Sequence, residues 1–317
     1  MNKVFIASIA SILTIATSAF VVHKTNKQPT PEELGEKLFF DPILSSDRSI
    51  SCSSCHNPKY AFADTVAFSN GVNGSKTARN TPSAMNMTSR PYYFYDGRAA
   101  TLEEQALGPI QNPAEMNLPI DSAVARLNRS TYYKQAFKKV YHQAPNKENL
   151  AKALASFERT LETGNSVYDE FAKGKSTNLS DEAQLGRELF VGKAKCFDCH
   201  MGLDFTNDEF KNIGLYNNRD LSDKGRYDQT KKTDDIGKFK TPGLRNVAIT
   251  APYMHNGMFR TLREVVDYYN QPDKFIHNSI NRDTSIHSLN LSEKEVQALV
   301  QFLTSLTDKR FLKAENK

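Results

Sequence analysis

Two copies of one pentapeptide limit what this chain can fold into more than any other feature. They are Cys52-Ser53-Ser54-Cys55-His56 and Cys196-Phe197-Asp198-Cys199-His200, which together hold all four cysteines and two of the seven histidines. A C-x-x-C-H pattern is the attachment site of a c-type haem. Both thiols add to the vinyl groups, and the histidine that follows becomes the proximal iron ligand. Cysteine pairs also build zinc sites, but within one compact module. Here the pairs lie 144 residues apart, and zinc chemistry requires no histidine directly after each. A thioredoxin-like dithiol needs a βαβ setting, which the sequence lacks. The reading is two covalent haems.

The surroundings of the pentapeptides repeat as well. Leu34-Gly35-Glu36-Lys37-Leu38-Phe39 matches Leu185-Gly186-Arg187-Glu188-Leu189-Phe190, each ahead of its haem site. Pro31, Glu32 and Glu33 open the first of these helices, and Ser180 caps the second ahead of Asp181 and Glu182. Further on, residues 91–104 and 252–264 align without a gap once Gly97 is set on Gly257. Each segment ends in a predicted capping box, Thr101 with Glu104 and Thr261 with Glu264, so each starts a helix. Thr81-Pro82 and Thr241-Pro242 extend the match upstream. Leu150, Leu154, Phe157 and Leu161 mark one amphipathic helix; Val296, Leu299, Phe302 and Leu306 mark another, capped by Ser292. Sustained strand alternation is missing, so the expected fold is mainly α. Two copies of one haem module are expected, over residues 30–178 and 179–317.

At 317 residues the chain is long enough for two cores, and its formal charge of +5 is slight for that length. The basic residues form no long run, which argues against nucleic acid as a partner. Lys3 followed by nineteen mostly apolar, uncharged residues makes residues 1–22 a secretory signal, with an uncleaved membrane anchor as the alternative. Export agrees with haem attachment outside the cytoplasm. The expected location is the periplasm.

Duplicated modules differ most usefully at the sixth iron position. A six-coordinate haem mainly transfers electrons, whereas an open one can bind peroxide. Fourteen residues after Tyr95 stands Pro109, which has no ligand atom; fourteen after His255 stands Tyr269, whose phenolate can bind ferric haem. This spacing makes the first haem open and the second closed, with Tyr268, Met201, Met254 and Met258 as rival ligands. Near the open site stand Gln105 and Glu115. Cleaving peroxide requires moving a proton between its two oxygens, which a carboxylate can do while an amide orients the substrate.

At these residues the chain resembles the bacterial di-haem cytochrome c peroxidase and MauG family. The likeness runs from about Leu34 to Leu306. It rests on both haem motifs, Arg79-Asn80-Thr81-Pro82, Asp96-Gly97-Arg98-Ala99, Glu104-Gln105-Ala106, Asn112-Pro113-Ala114-Glu115-Met116, Leu244-Arg245-Asn246-Val247 and Ala251-Pro252-Tyr253-Met254-His255. The resemblance implies two cytochrome c-like haem domains. In that family the amino-terminal haem reacts with hydrogen peroxide, and the carboxy-terminal haem takes electrons from a small donor such as a cytochrome c or a cupredoxin. By position Glu115 and Gln105 match the family's distal glutamate and glutamine. Asn80, Thr250 and Pro252 match ligands of a calcium ion between the haems, a homodimer is implied, and Tyr95 falls where the family places an inter-haem tryptophan.

Three departures bear on function. Residues 68–76 hold no histidine, where many family peroxidases place one that closes the first haem at rest. Tyr269 replaces the methionine that closes the second haem in many members, a MauG-like pattern that implies a lower potential. No tryptophan is present, so any relay through that position uses Tyr95. The expected function is reduction of hydrogen peroxide with donor electrons. The alternatives are a MauG-like oxidation of residues on a partner protein and a non-catalytic di-haem electron carrier.

Overall fold

The computed structural model describes residues 28–312, and the secretory signal expected at residues 1–22 lies outside them. Nine helices of six or more residues are present among the described residues: Pro31–Phe40, Leu102–Gln111, Ile120–Arg129, Thr131–Tyr141, Lys147–Glu158, Val167–Ala172, Asp181–Val191, Leu262–Asn270 and Glu293–Ser305. The described strands are two residues each, Phe210–Lys211 antiparallel to Phe239–Lys240. The fold is mainly α, as expected from the missing strand alternation.

The helices start where the sequence signals put them. Thr30 caps helix Pro31–Phe40 with a full capping box to Glu33. Ser180 and Ser292 cap theirs through Ala183 and Glu295. At Thr261 the box is complete. At Thr101 it is half made: the threonine accepts from the Glu104 N–H, but the Glu104 carboxylate reaches back to the N–H of Ala100.

Two pairs of helices pack in the same manner. Pro31–Phe40 crosses Lys147–Glu158, and Asp181–Val191 crosses Glu293–Ser305. Each crossing pivots on a glycine. A Cβ on Gly35 would sit 1.9 Å from the Ala153 carbonyl oxygen and 2.9 Å from the Phe157 Cβ. A Cβ on Gly186 would sit 2.0 Å from the Ala298 oxygen and 2.8 Å from the Phe302 Cβ. Aromatic trios surround both pivots. Phe39 stands 5.1 Å from Phe157 and 5.9 Å from Phe62; Phe190 stands 5.1 Å from Phe302 and 6.2 Å from Phe205. The buried apolar residues accordingly form two large clusters, one from Leu34 to Leu161 and one from Leu189 to Leu306. Gly35→Ala and Gly186→Ala are each expected to cost about 1–3 kcal/mol, because the added methyl must separate two backbones. Thermal denaturation checks this against Gly164→Ala, where a Cβ meets nothing within 4 Å.

The halves join through matched loops. Tyr93 donates to Ala99 at 2.9 Å, and Tyr253 donates to Phe259 at 2.8 Å, closing two equivalent turns. Gly97 in the first turn has φ +67, and a Cβ there would meet Arg226 and Phe210 of the second half at 2.4 Å. Gly257 has φ +65 and packs its Cα face on Ala67 of the first half. Only glycine meets both the left-handed backbone and the contact. Half-buried ion pairs cross the join: Arg79, itself held by the buried Asp96 at 2.8 Å, binds Asp223 at 2.7 Å, and Arg90 binds Asp204 at 2.7 Å.

Candidate haem sites

Both C-x-x-C-H segments fold as single helical turns, in which the histidine N–H closes on the carbonyl of the first cysteine at 2.9 Å. That turn puts both sulfurs and the imidazole on one side. His56 Nδ1 lies 2.9 Å from the carbonyl of Phe62, and His200 Nδ1 lies 2.9 Å from the carbonyl of Phe205. A carbonyl accepts only, so in each ring Nδ1 carries the hydrogen and Nε2 keeps its lone pair for iron. Phe62 and Phe205 hold φ values of +55 and +57. A bulky side chain in that region costs on the order of 1–2 kcal/mol, and the strain aims each carbonyl at its histidine. Burial holds both histidines below the usual imidazole range.

None of the four cysteines forms a disulfide. Burial pushes Cys55 up to about 11 and Cys196 up to about 12, and Cys52 further. Protonated, enclosed thiols are poor redox or zinc groups, whereas a thioether needs no ionisation once made. Among the described residues no cluster of three His, Cys, Asp or Glu side chains forms a metal site.

A cavity of about 270 Å³ opens beside the second pentapeptide, lined by Cys196, Cys199, His200 and Tyr269. Burial raises the Tyr269 phenol well above its ordinary range, with the nearby Tyr268, Cys196 and Cys199 adding to the effect. Tyr268, one residue away, is spent: its ring is fully buried against Leu215 and Phe259, and its hydroxyl donates to the Ile213 carbonyl. Met201 is 39% exposed, and Met258 packs beside Tyr268. Met254 shares the cavity wall with Tyr269. The rival ligands thus fall to one.

Tyr95 comes from the first half yet lines this same cavity, together with Asn80, Thr250 and Pro252. Asn80 uses its side-chain N–H groups on the Val66 and Ala67 carbonyls. Among the described residues no protein group donates to its Oδ1 or to the carbonyls of Thr250 and Pro252. Three oxygens left without donors on one wall fit a hard cation.

At the first site Glu115 follows helix Leu102–Gln111, which carries Gln105 and Pro109. Asn112 donates to the Glu115 carboxylate at 2.6 Å. Burial pushes Glu115 above the usual carboxylate range, against the pull of that hydrogen bond and of Arg98. The charge of Glu115 acts on both Cys52 and Cys55, which places it beside the first haem site. The histidine-free loop is latched to the same segment. Val72 donates to the Glu115 carbonyl at 2.9 Å, and Ser75 Oγ donates to Ala114 at 3.1 Å. Gln105 is half-buried on its helix. Two features escaped the sequence reading: the carbonyls of Phe62 and Phe205, and a buried carboxyl, Glu158. Setting Phe157 on Phe302 in the repeat reveals the second, because it pairs Glu158 with Leu303.

The description "Di-haem cytochrome c peroxidase" fits residues 29–177 as a family match. The methylamine utilization protein MauG of Methylorubrum extorquens is 36% identical over 90% of this chain and 81% of its own length. The cytochrome c551 peroxidase of Pseudomonas aeruginosa is 35% identical over 89% and 81%. A crystal structure of a MauG-like protein associated with microbial copper homeostasis superposes with a TM-score of 0.82 at 30% identity, over 91% of this chain and 93% of that one. The residues that bring two C-x-x-C-H turns, their carbonyl-braced histidines and one shared inter-half wall together belong to a known design: the chain is a member of the di-haem cytochrome c peroxidase and MauG family.

Proposed function

We propose that the protein is a periplasmic di-haem peroxidase that reduces hydrogen peroxide to water with two electrons from a small donor protein. The observation that carries this reading is the asymmetry of the two sites. One has a half-buried carboxyl whose charge acts on both attachment cysteines, and the other has a tyrosine on the cavity wall that His200 also lines. The haems, held by His56 and His200 through thioethers from Cys52, Cys55, Cys196 and Cys199, supply the iron that exchanges electrons with peroxide and donor. The duplicated helix pairs supply one module per haem.

Glu115 is the proton carrier. Burial raises its pKa, which makes the carboxylate a better proton acceptor, and Asn112 donates to one of its oxygens. It takes a proton from one peroxide oxygen and returns it to the departing one, while Gln105 orients the molecule. Two electrons and two protons complete the conversion of one peroxide to two waters. Tyr95, on the wall between the halves, is the relay. A calcium ion held by the oxygens of Asn80, Thr250 and Pro252 would fix that wall.

The histidine-free loop against Glu115 favours a second reading, MauG-like oxidation of residues on a partner protein. It needs a site that reacts in the fully oxidised state. Stopped-flow mixing of the ferric holoprotein with peroxide decides first: a fast spectral change without pre-reduction is the expected result, and no change in either redox state would leave only electron carriage. Rapid peroxide-dependent oxidation of reduced cytochrome c then supports the peroxidase over the partner-oxidising enzyme.

A further inference from the structure

The mechanism leaves unused one buried acid of the first half that, among the described residues, has no ion-pair partner, whereas the buried Asp96 and Asp169 are held by arginines. Glu158 is the last residue of helix Lys147–Glu158 and only 8% exposed. Its neighbour Arg159 does not neutralise it at close range, since that guanidinium is held by Glu103 through two hydrogen bonds of 2.8 and 2.9 Å. Among the described residues no protein group hydrogen-bonds to the Glu158 carboxyl. Yet its oxygens are not sealed in, because Tyr141 Oη is the only fully enclosed side-chain polar atom there without a partner. The carboxyl therefore keeps a small accessible surface while making no hydrogen bond to the protein.

Two observations relate that carboxyl to the first attachment site. Glu158 is the largest charged influence on Cys52, ahead of Cys55 and Glu115. The matched helix pairs give the same answer independently. Gly35 meets Ala153 and Phe157 as Gly186 meets Ala298 and Phe302, so Glu158 stands where Leu303 stands in the second half. Leu303 lines the cavity beside His200. The second site has a leucine at this place, and the first has an acid.

We propose that Glu158 is the charge-compensating acid of the first haem pocket: its carboxylate balances the oxidised iron, and it takes up one proton when a donor protein or electrode adds one electron there. This rests on the two-haem reading. An unpaired buried carboxylate is costly unless a positive charge lies near, and a ferric haem supplies one that the ferrous state lacks. Without that charge, burial pushes Glu158 up to about 8, against the pull of Arg159 and with Glu103 raising it further. The other titratable groups that feel it are Cys52, a thioether once the haem is attached, and Tyr93. Because the acid side of the equilibrium accompanies reduction, raising the pH favours the oxidised state.

The test is a spectroelectrochemical titration of the holoprotein at several pH values on either side of about 8. The two haems are followed separately through their spin-state spectra. The expected result is that the potential of the His56 haem falls with rising pH in the wild type and not in Glu158→Gln. In that variant the high-pH potential shifts upward, and the His200 haem is unmoved. Glu158→Asp restores the slope. Glu158→Leu, which copies Leu303, serves if the glutamine variant does not mature. A variant profile matching the wild type, or a flat wild-type profile, overturns the proposal. A pyridine haemochrome count below two per wild-type chain overturns the two-haem reading itself, whatever the variants show.

Discussion

Glu115→Gln is expected to keep both haems and the fold while losing about 10²- to 10⁴-fold in the rate of reaction with peroxide. Glutamine is nearly isosteric, and its amide oxygen can still accept from Asn112, now at 2.6 Å from the carboxylate. The loop contact survives too, because Val72 donates to the backbone carbonyl of residue 115 rather than to its side chain. What disappears is the exchangeable proton. The measurement is the second-order rate of the ferric spectral change with peroxide, alongside a haem count. A rate near that of the wild type would remove Glu115 from the proton path. The pH profile adds a sign. Burial raises the pKa of Glu115, so the carboxylate that accepts the peroxide proton is lost at higher pH than an ordinary glutamate's, and the rate is expected to fall as pH drops through that value.

Tyr269→Met is expected to raise the potential of the His200 haem by on the order of 0.1 V or more, since an anionic oxygen ligand favours ferric iron and a thioether favours ferrous. Burial alone keeps the Tyr269 phenol protonated. If Tyr269 is the sixth ligand, ferric iron would have to displace that proton, so ligation would strengthen as pH rises and weaken in acid. Tyr268→Phe is the control one position away. It removes a hydrogen bond to Ile213, costs about 1 kcal/mol and leaves the potential alone. An unchanged potential in the methionine variant, with the low-spin spectrum intact, would pass the sixth position to Met254, which shares the cavity wall.

Attachment chemistry was legible in the chain itself. Thioether formation needs two thiols and a histidine at fixed local spacing, so Cys52, Cys55, His56, Cys196, Cys199 and His200 declare it without any fold. Helix starts at Pro31, through its proline and acids, and at Ser180, Thr261 and Ser292, through caps that bond an N–H three residues on, were equally legible. The mainly α class followed from apolar spacing. All of these are short-range relations, and short range is what a sequence displays.

The remainder depended on groups far apart in the chain. Tyr268 and Tyr269 are indistinguishable by composition; a helix turn of about 100° and the packing of Leu215 and Phe259 decide which hydroxyl meets the cavity. The carbonyls of Phe62 and Phe205 bear no sequence mark, since any residue has one. Only a left-handed backbone inside an aromatic trio turns them toward the histidines. Glu158 looked like one more glutamate at a helix end until the crossing at Gly35 put it in the place that Leu303 holds in the second half. The sequence by itself determined which groups could bind haem and where the helices begin, because those are local bonds. Tertiary structure alone decided which way each side chain faces, because that depends on what the other half of the chain buries against it.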